Sequence, residues 1–214
     1  MYSYKRMNHS KQEVPTKDRL VETGRKVFSA KGFDASSLRE ITALAGANLG
    51  AVTYHFGSKT AFYEAVLASL LVPFRECVAV AAEREGAPLT RIAGVVRDVF
   101  GYLYDHPELP RILVQEIASG RRVPPLVVET LMANHGHIAA LITEGQQDGS
   151  IRAGDPRLMA LSIGAPPMFL NVVRQVLHDA IAVNQDDTGV RRAIVETAVA
   201  IAIRGLASHP DATP

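Results

Sequence analysis

Residues 36–59 read SSLREITALAGANLGAVTYHFGSK, and this stretch decides the fold of the chain around it. Ser37 stands three residues before Glu40, a spacing typical of a capping box at the start of a helix. Apolar residues then recur at helical spacing as far as Gly46, a residue that suits a turn requiring a positive φ. Asn48 is a favoured N-cap for a second helix. The stretch therefore predicts two short helices joined by a tight turn, a helix-turn-helix.

The second short helix carries its bulky apolar groups and its polar tips on different sides. Val52 and Phe56 lie four residues apart and are expected to pack inward. Thr53, Tyr54 and His55 are left on or near the outer surface, where their polar atoms can meet phosphate or base edges. This division indicates a recognition helix that reads double-stranded DNA.

Together these residues resemble the tetracycline-repressor (TetR) family of bacterial regulators. The resemblance covers about residues 16–67, and it rests on the joint spacing of its motifs. The motifs are Gly32-Phe33, Ser36-Ser37, Ile41 with Ala45-Gly46, Gly50, Tyr54-His55-Phe56, Ser58-Lys59 and Phe62. The segment 48–59 also resembles the CecR-like branch of that family. Leu49 and Ala51 are apolar where many relatives carry polar base readers, so the operator sequence stays open.

The resemblance implies an all-α fold and a ligand-responsive DNA-binding transcriptional regulator, a dimeric repressor that a small molecule releases from a palindromic DNA operator. We expect residues 1–15 to form a flexible basic arm and residues 16–66 to form a three-helix, helix-turn-helix DNA-binding domain. Residues 67–208 are then an α-helical ligand-binding and dimerisation domain. The polar residues 209–214 are expected to be a disordered tail.

DNA contacts are expected from the two short helices and from the start of the helix that follows. Apolar side chains can lie against a thymine methyl group, and hydroxyl, imidazole and ammonium groups can bind phosphate or base edges. The predicted DNA-binding residues are Ser37, Arg39, Asn48, Leu49, Gly50, Ala51, Thr53, Tyr54, His55 and Lys59.

Two of these positions raise specific questions. Glycine inside a helix costs roughly 1 kcal/mol relative to alanine. Gly50 therefore needs a reason, and the candidates are close approach of the backbone to DNA and tight packing on a neighbouring helix. Lys59 lies in the first turn of a helix capped by Ser58, where the helix dipole disfavours a cation. A bound phosphate would reverse that effect.

The composition is that expected of a soluble protein that binds a polyanion such as DNA. Residues 1–66 carry ten Lys or Arg and six Asp or Glu, a net charge of +4, and the rest of the chain carries −3. A positive end on an acidic body suits a protein that meets nucleic acid. No run of about eighteen apolar residues lacks a charge or proline, so we expect no membrane-spanning helix. The single cysteine, Cys77, and the lack of a secretory signal indicate a cytoplasmic protein.

The remainder of the chain reads as helices separated by turns. Pro73 cannot donate to the carbonyl of Ser69, so the fourth helix is expected to kink or end there. A later helix, over about 156–181, is expected to be interrupted by Pro166-Pro167. Arg25 on the first helix is expected to be solvated.

The residues of the body that are expected to bind a ligand or form a dimer are grouped by their position along the helices. Phe100, Tyr104, Met168 and Phe169 can line an apolar pocket, or they can be ordinary core. Small residues on the last two long helices allow close helix approach in a four-helix dimer interface, although they can equally pack internally. The predicted interface residues are Val172, Val176, Ile194, Ala198, Ile201, Ala202 and Gly205.

The sequence contains no motif typical of an enzyme or of a metal-binding site. His135 and His137 are two residues apart, so on a helix they point in nearly opposite directions and cannot share an ion. The chain has no Cys-x-x-Cys, His-Glu-x-x-His or glycine-rich phosphate loop. We therefore expect no catalytic residue, no metal and no cofactor. The alternatives to a ligand-responsive repressor are a DNA-binding regulator controlled by a protein partner, and a helical enzyme or carrier with a vestigial helix-turn-helix.

Overall fold

A computed structural model describes residues 14–208, so residues 1–13 of the predicted basic arm and the predicted tail 209–214 lie outside the described residues. Within this range the chain is all-α and forms ten helices. They are α1 (Thr16–Ala35), α2 (Leu38–Leu44), α3 (Leu49–Phe56), α4 (Lys59–Ala82), α5 (Pro88–Asp105), α6 (Glu108–Ala118), α7 (Pro125–Gln147), α8 (Pro156–Val172), α9 (Arg174–Ile181) and α10 (Thr188–Leu206).

The first three helices form a small unit whose turns match the predicted pattern. Gly32 interrupts α1 with a φ of 76°, so the last residues of that helix run at a different angle. Gly46 has a φ of 62° and joins α2 to α3, as the sequence predicts. Aromatic rings fill the space between α1, α3 and α4: the Phe28 and Phe62 centroids are 5.7 Å apart, and those of Phe56 and Phe62 are 4.9 Å apart.

Helix α4 is the central helix of the molecule. The sequence predicts that it kinks or ends at Pro73, and the prediction that it ends there is wrong. The helix continues to Ala82, nine residues beyond the proline. The carbonyl that Pro73 cannot reach is satisfied by another helix, because Arg25 Nη2 donates to Ser69 O at 2.8 Å and Arg25 Nε donates to Ser69 Oγ at 2.9 Å. The expectation that Arg25 is solvated is wrong for the same reason.

Helix α5 packs antiparallel to α4 and closes the core of the body. Near one end Arg91 Nη2 donates to Ala82 O at 2.7 Å, and towards the other Tyr102 Oη donates to Leu70 O at 2.6 Å. Burial raises the pKa of Tyr102 to about 12, which keeps the phenol protonated and able to donate. Around this pair lie α7, α8 and α10.

The expected interruption at Pro166-Pro167 is also wrong. Both prolines lie inside α8, and the break falls six residues later at Val173, whose φ and ψ are −88° and 9°. A proline removes the hydrogen bond to the residue four positions before it. The helix nevertheless continues to Val172, with Ile163 and Pro167 buried against the bundle.

Among the described helices, α4 alone is long and apolar enough to cross a membrane by length and composition. Its apolar side chains are those that form the core with α1, α3, α5 and α7. The apolar character of α4 is thus accounted for by its central position in the bundle.

Candidate nucleic-acid interface

Side-chain caps fix where the helices of the interface begin. Each cap accepts a hydrogen bond from a backbone N–H that the first turn of a helix leaves unpaired. The caps are Ser37, Asn48 and Ser58, which accept from Glu40 N at 3.1 Å, Ala51 N at 2.9 Å and Ala61 N at 3.1 Å. The reciprocal half of the predicted capping box is absent between Ser37 and Glu40, because the Glu40 carboxylate pairs with Lys31 Nζ at 2.6 Å.

Helix α3 turns one side to solvent and the other to the core. Tyr54 is 85% exposed and Leu49 is 45% exposed, whereas Val52 is fully buried. The ring of Phe56, half-buried, packs on the core. This arrangement matches the predicted division between an outer and an inner side.

The structure brings the ten predicted DNA-binding residues onto α2, α3 and the start of α4. Helix α2 contacts α3, which in turn contacts α4, so the three segments form one continuous surface. Seven of the ten residues are exposed on this surface, and the other three, Ala51, His55 and Lys59, are half-buried. The exposed members are Ser37, Arg39, Asn48, Leu49, Gly50, Thr53 and Tyr54.

Lys59 is held in place rather than freely solvated. Its Nζ lies 4.5 Å from the centroid of the Phe33 ring, within the range of a cation–π contact. This contact fixes the ammonium group beside the N-terminus of α4, where backbone N–H groups and the helix dipole also favour an anion. The start of α4 therefore has the chemistry of a phosphate-binding position.

The surroundings of Gly50 decide between the two explanations for a glycine in this helix. A Cβ added at Gly50 would have one neighbour within 4 Å, Asn48 Oδ1 at 3.3 Å, and that atom belongs to the adjoining cap. No atom of a neighbouring helix lies within that distance in the part of the chain that the structure describes. Tight helix packing is therefore excluded as the reason for this glycine.

A buried polar network links this surface to the body, and sequence reasoning missed it. Tyr63 Oη on α4 donates to Glu116 Oε1 on α6 at 2.7 Å, and Arg121 in the loop after α6 also pairs with Glu116. Glu116 is 2% exposed, and a buried carboxylate needs such partners. The Arg121 guanidinium also lies 4.6 Å from the centroid of Phe33, the ring that holds Lys59.

Helix α6 makes a second contact with the DNA-binding unit. Gln115 Nε2 donates to Ser29 O on α1 at 2.9 Å. Partners 53 and 86 residues apart carry no local sequence signal, so this link was not predictable from spacing. The body thus contacts both α1 and the first turns of α4.

The four residues proposed to line a ligand pocket do not surround one cavity. Phe100 is fully buried in the core, with its ring 5.9 Å from that of Tyr104, and Phe169 is mostly exposed. Met168 is partly buried against the core. None of the four lines the large apolar cleft described next, so their assignment as ligand-binding residues stays a prediction without structural support.

An open apolar cleft of about 760 Å³ lies between α8, α9 and α10. Five of the seven predicted dimer residues line it: Ile194, Ala198, Ile201, Ala202 and Gly205. Val176 is largely exposed beside it, and Val172 is half-buried. Arg152 is the one ionisable side chain among the residues that line the cleft. The cleft therefore lacks the set of neighbouring ionisable groups that an active site needs.

The side chains of residues 14–208 do not form a metal-binding site. No three His, Cys, Asp or Glu side chains in that range lie close enough to hold a metal ion. Burial, followed by the nearby Asp98 carboxylate, raises the pKa of the Cys77 thiol and disfavours the reactive thiolate. Cys77 is therefore a packing residue.

A capped recognition helix on a small helical unit, joined to a larger helical body, defines a helix-turn-helix DNA-binding protein. Residues 20–66 match the profile described as "Bacterial regulatory proteins, tetR family". The regulator RutR of Escherichia coli strain K12 is 29% identical over 188 residues, which cover 79% of this chain and 84% of RutR. The chain belongs to the tetR family and is a DNA-binding transcriptional regulator.

Two further comparisons extend the likeness along the whole chain. The repressor NicS of Pseudomonas putida is 26% identical over 205 residues, which cover 92% of this chain and 95% of NicS. The crystal structure of FadR from Bacillus subtilis in complex with stearoyl-CoA superposes with a TM-score of 0.71 at 17% identity, over 88% of this chain and 98% of FadR. These relatives are regulators rather than enzymes, and the closer likeness to the CecR-like branch stays a prediction.

Proposed function

We propose that the chain is a dimeric repressor that binds a palindromic operator in the bacterial cytoplasm and leaves it when a small molecule binds the body. The observation that carries this proposal is the outer side of α3, where Tyr54 and Leu49 are exposed beside the held cation of Lys59. Repression is the role that the name of NicS records, and FadR with its bound stearoyl-CoA is an example of this fold holding a small molecule.

Dimerisation is supported by apolar surface on the last three helices. Monomeric proteins rarely expose contiguous apolar patches larger than a few hundred Å². Here the large exposed apolar residues of α8 to α10 are Leu158, Leu161, Phe169, Val176, Ile181 and Ile201. Paired helices of a second copy would cover these residues and fill the apolar cleft. Two recognition helices in one dimer can then enter successive major grooves about 34–36 Å apart.

Release by an effector requires that the body move the recognition helices. The network of Tyr63, Glu116 and Arg121 joins α6 to the first turns of α4, and α4 carries Lys59. A molecule that binds the body more tightly when α6 is displaced would shift the population away from the DNA-binding arrangement. The contacts of α6 are the route that this proposal assigns to the signal.

One selection experiment tests both the operator and the dimer. DNA retained from a random duplex pool by the wild-type protein should be enriched in an inverted repeat with half-sites one helical turn apart. The variant Ile201→Asp places a charge in the proposed interface, so it should sediment as a monomer and enrich no repeat. Ala200→Asp places the same charge at an exposed position of the same helix outside the cleft lining, and it is the control. Failure of the wild-type protein to enrich any sequence would contradict the proposal.

A further inference from the structure

The ring of Phe33 contacts two cations that come from different parts of the chain. Lys59 Nζ, at the start of α4, lies 4.5 Å from the ring centroid, and the guanidinium carbon of Arg121, in the loop after α6, lies 4.6 Å from it. Both distances are within the range of a cation–π contact. Because both are measured to one centroid, the two charges are at most about 9 Å apart, inside the Debye length of about 10 Å at 0.1 M salt. Each charge therefore affects the other.

The neighbours of Phe33 hold its ring in place. The side chain packs on the hydrophobic core, and its ring centroid is 5.0 Å from that of Tyr63 and 6.3 Å from that of Phe28. Gly32, with a φ of 76°, turns the end of α1, and a Cβ added there would lie 3.0 Å from Gln115 Oε1 on α6. The ring thus lies where α1, α4 and α6 meet.

The two cations on this ring differ in their anionic partners. Arg121 pairs with the buried carboxylate of Glu116, and its Nε lies 3.5 Å from Asp34 Oδ2. By contrast, none of the ion pairs formed within residues 14–208 includes Lys59. The ammonium group of Lys59 is therefore held by an aromatic ring while its charge stays available to an anion from outside.

The two carboxylates beside Arg121 are potential competitors for the ammonium group of Lys59. A carboxylate carries a full negative charge, whereas the face of an aromatic ring carries only a partial one. While the guanidinium of Arg121 pairs with both carboxylates, Lys59 remains on the ring. Without that guanidinium, the unpaired carboxylates would attract Lys59 away from the N-terminus of α4.

We propose that Phe33 and Arg121 are positioning residues for DNA binding. Phe33 holds Lys59 at the start of α4, where a DNA phosphate binds. Arg121 keeps the two neighbouring carboxylates from pairing with Lys59, so a residue of the body contributes to DNA affinity from outside the DNA-binding domain. This inference rests on the proposed contact of Lys59 with DNA and names the residues on which that contact depends.

A double-mutant cycle tests the role of Phe33, with fluorescence anisotropy of a random-sequence DNA duplex as the measurement. In the full chain, Phe33→Leu keeps an apolar side chain in the core and removes the ring, so it should weaken DNA binding about three- to fivefold. Phe33→Tyr keeps the ring and should bind like the wild-type protein. In a Lys59→Ala background, Phe33→Leu should have no further effect, because the cation that the ring positions is gone. A residue that only stabilises the fold would weaken binding equally in both backgrounds.

Arg121→Gln tests the contribution of the body in the same assay. The variant removes the charge and keeps N–H groups that can donate to Glu116. It should weaken DNA binding about threefold, and only when Lys59 is present. Arg122→Gln is the matched control, since it removes the same charge from the next residue of the same loop, where the side chain is exposed. It should leave the affinity unchanged.

Three results would overturn the proposal. They are equal losses with and without Lys59, an equal loss in Arg122→Gln, and wild-type affinity in both Phe33→Leu and Arg121→Gln. If Lys59→Ala alone weakens binding, the positioning role is refuted and the proposed function stands. Wild-type affinity in Lys59→Ala would instead refute the assignment of the start of α4 to DNA, and the positioning role with it.

Discussion

At the scale of single residues, Gly50 is the position where adding a Cβ atom would affect both the stability of α3 and its approach to DNA. An added Cβ would lie 3.3 Å from Asn48 Oδ1, closer than an ordinary van der Waals contact, so the Asn48 side chain that caps α3 would have to shift by a few tenths of an ångström. Alanine would favour the helix by roughly 1 kcal/mol. Two reasons for a glycine are therefore left: space for the Asn48 cap, and close approach of the α3 backbone to DNA.

The variant Gly50→Ala should change the free energy of unfolding by at most about 1 kcal/mol, because the gain in helix propensity opposes the tight contact with Asn48. It should weaken DNA binding about tenfold or more, within the range of about 1–3 kcal/mol for one lost specific contact. Urea denaturation and fluorescence anisotropy measure the two effects. Gly101→Ala is the control, since Gly101 is exposed on α5 and an added Cβ there meets nothing within 4 Å. Equal DNA affinity in the two variants would remove Gly50 from the interface.

Residue-level features were predictable wherever their cause is local. Asn48 and Ser58 were predicted as caps and are caps, because a cap depends on spacing of three residues within one segment. The pair Tyr63 and Glu116 was not predicted, since the two residues are 53 positions apart and neither is unusual in its own segment. The positive φ of Gly46 was also predictable, because the tight turn that requires it lies within one short segment.

At the scale of elements, α4 depends on another helix for its continuity. Pro73 leaves Ser69 O without its helical donor, and Arg25 on α1 supplies two donors to Ser69 instead. The expectation that the helix ends at Pro73 assumed that the carbonyl would stay unpaired, whereas α4 continues to Ala82. Tertiary packing overrides that local rule, as it does where Pro166 and Pro167 lie inside α8.

We expect Arg25→Ala to lower the free energy of unfolding by about 1–3 kcal/mol, because it leaves the partly buried Ser69 carbonyl without a partner. Urea denaturation monitored by circular dichroism is the measurement. Lys26→Ala, the next residue, removes only an exposed pair with Glu22 and should change stability little. Equal stability of both variants would show that α4 tolerates Pro73 without Arg25.

At the scale of the whole molecule, the helical class and the helix-turn-helix were predictable, and the arrangement of the body was not. The recognition unit is built from residues close in sequence, so its motifs carry its fold. The body is assembled from contacts between distant helices, such as Arg97 with Glu196 at 2.8 Å. This is why position along the helices was a poor guide to the pocket predicted for Phe100, Tyr104, Met168 and Phe169, none of which lines the apolar cleft.

The proposed function requires that the outer side of α3 and the start of α4 bind DNA, and a titration of DNA by single-site variants measures this directly. Tyr54→Ala and Lys59→Ala should weaken binding about tenfold on both the selected sequence and a random duplex. Lys59→Ala should also reduce the slope of log affinity against log salt by about 0.9, the value for one lost phosphate contact.

Arg192→Ala removes the same charge from an exposed position on α10 and is the matched control. It should leave both the affinity and the salt slope unchanged. Wild-type affinity and an unchanged slope in Tyr54→Ala and Lys59→Ala, or equal losses in Arg192→Ala, would contradict the assignment of this surface to DNA.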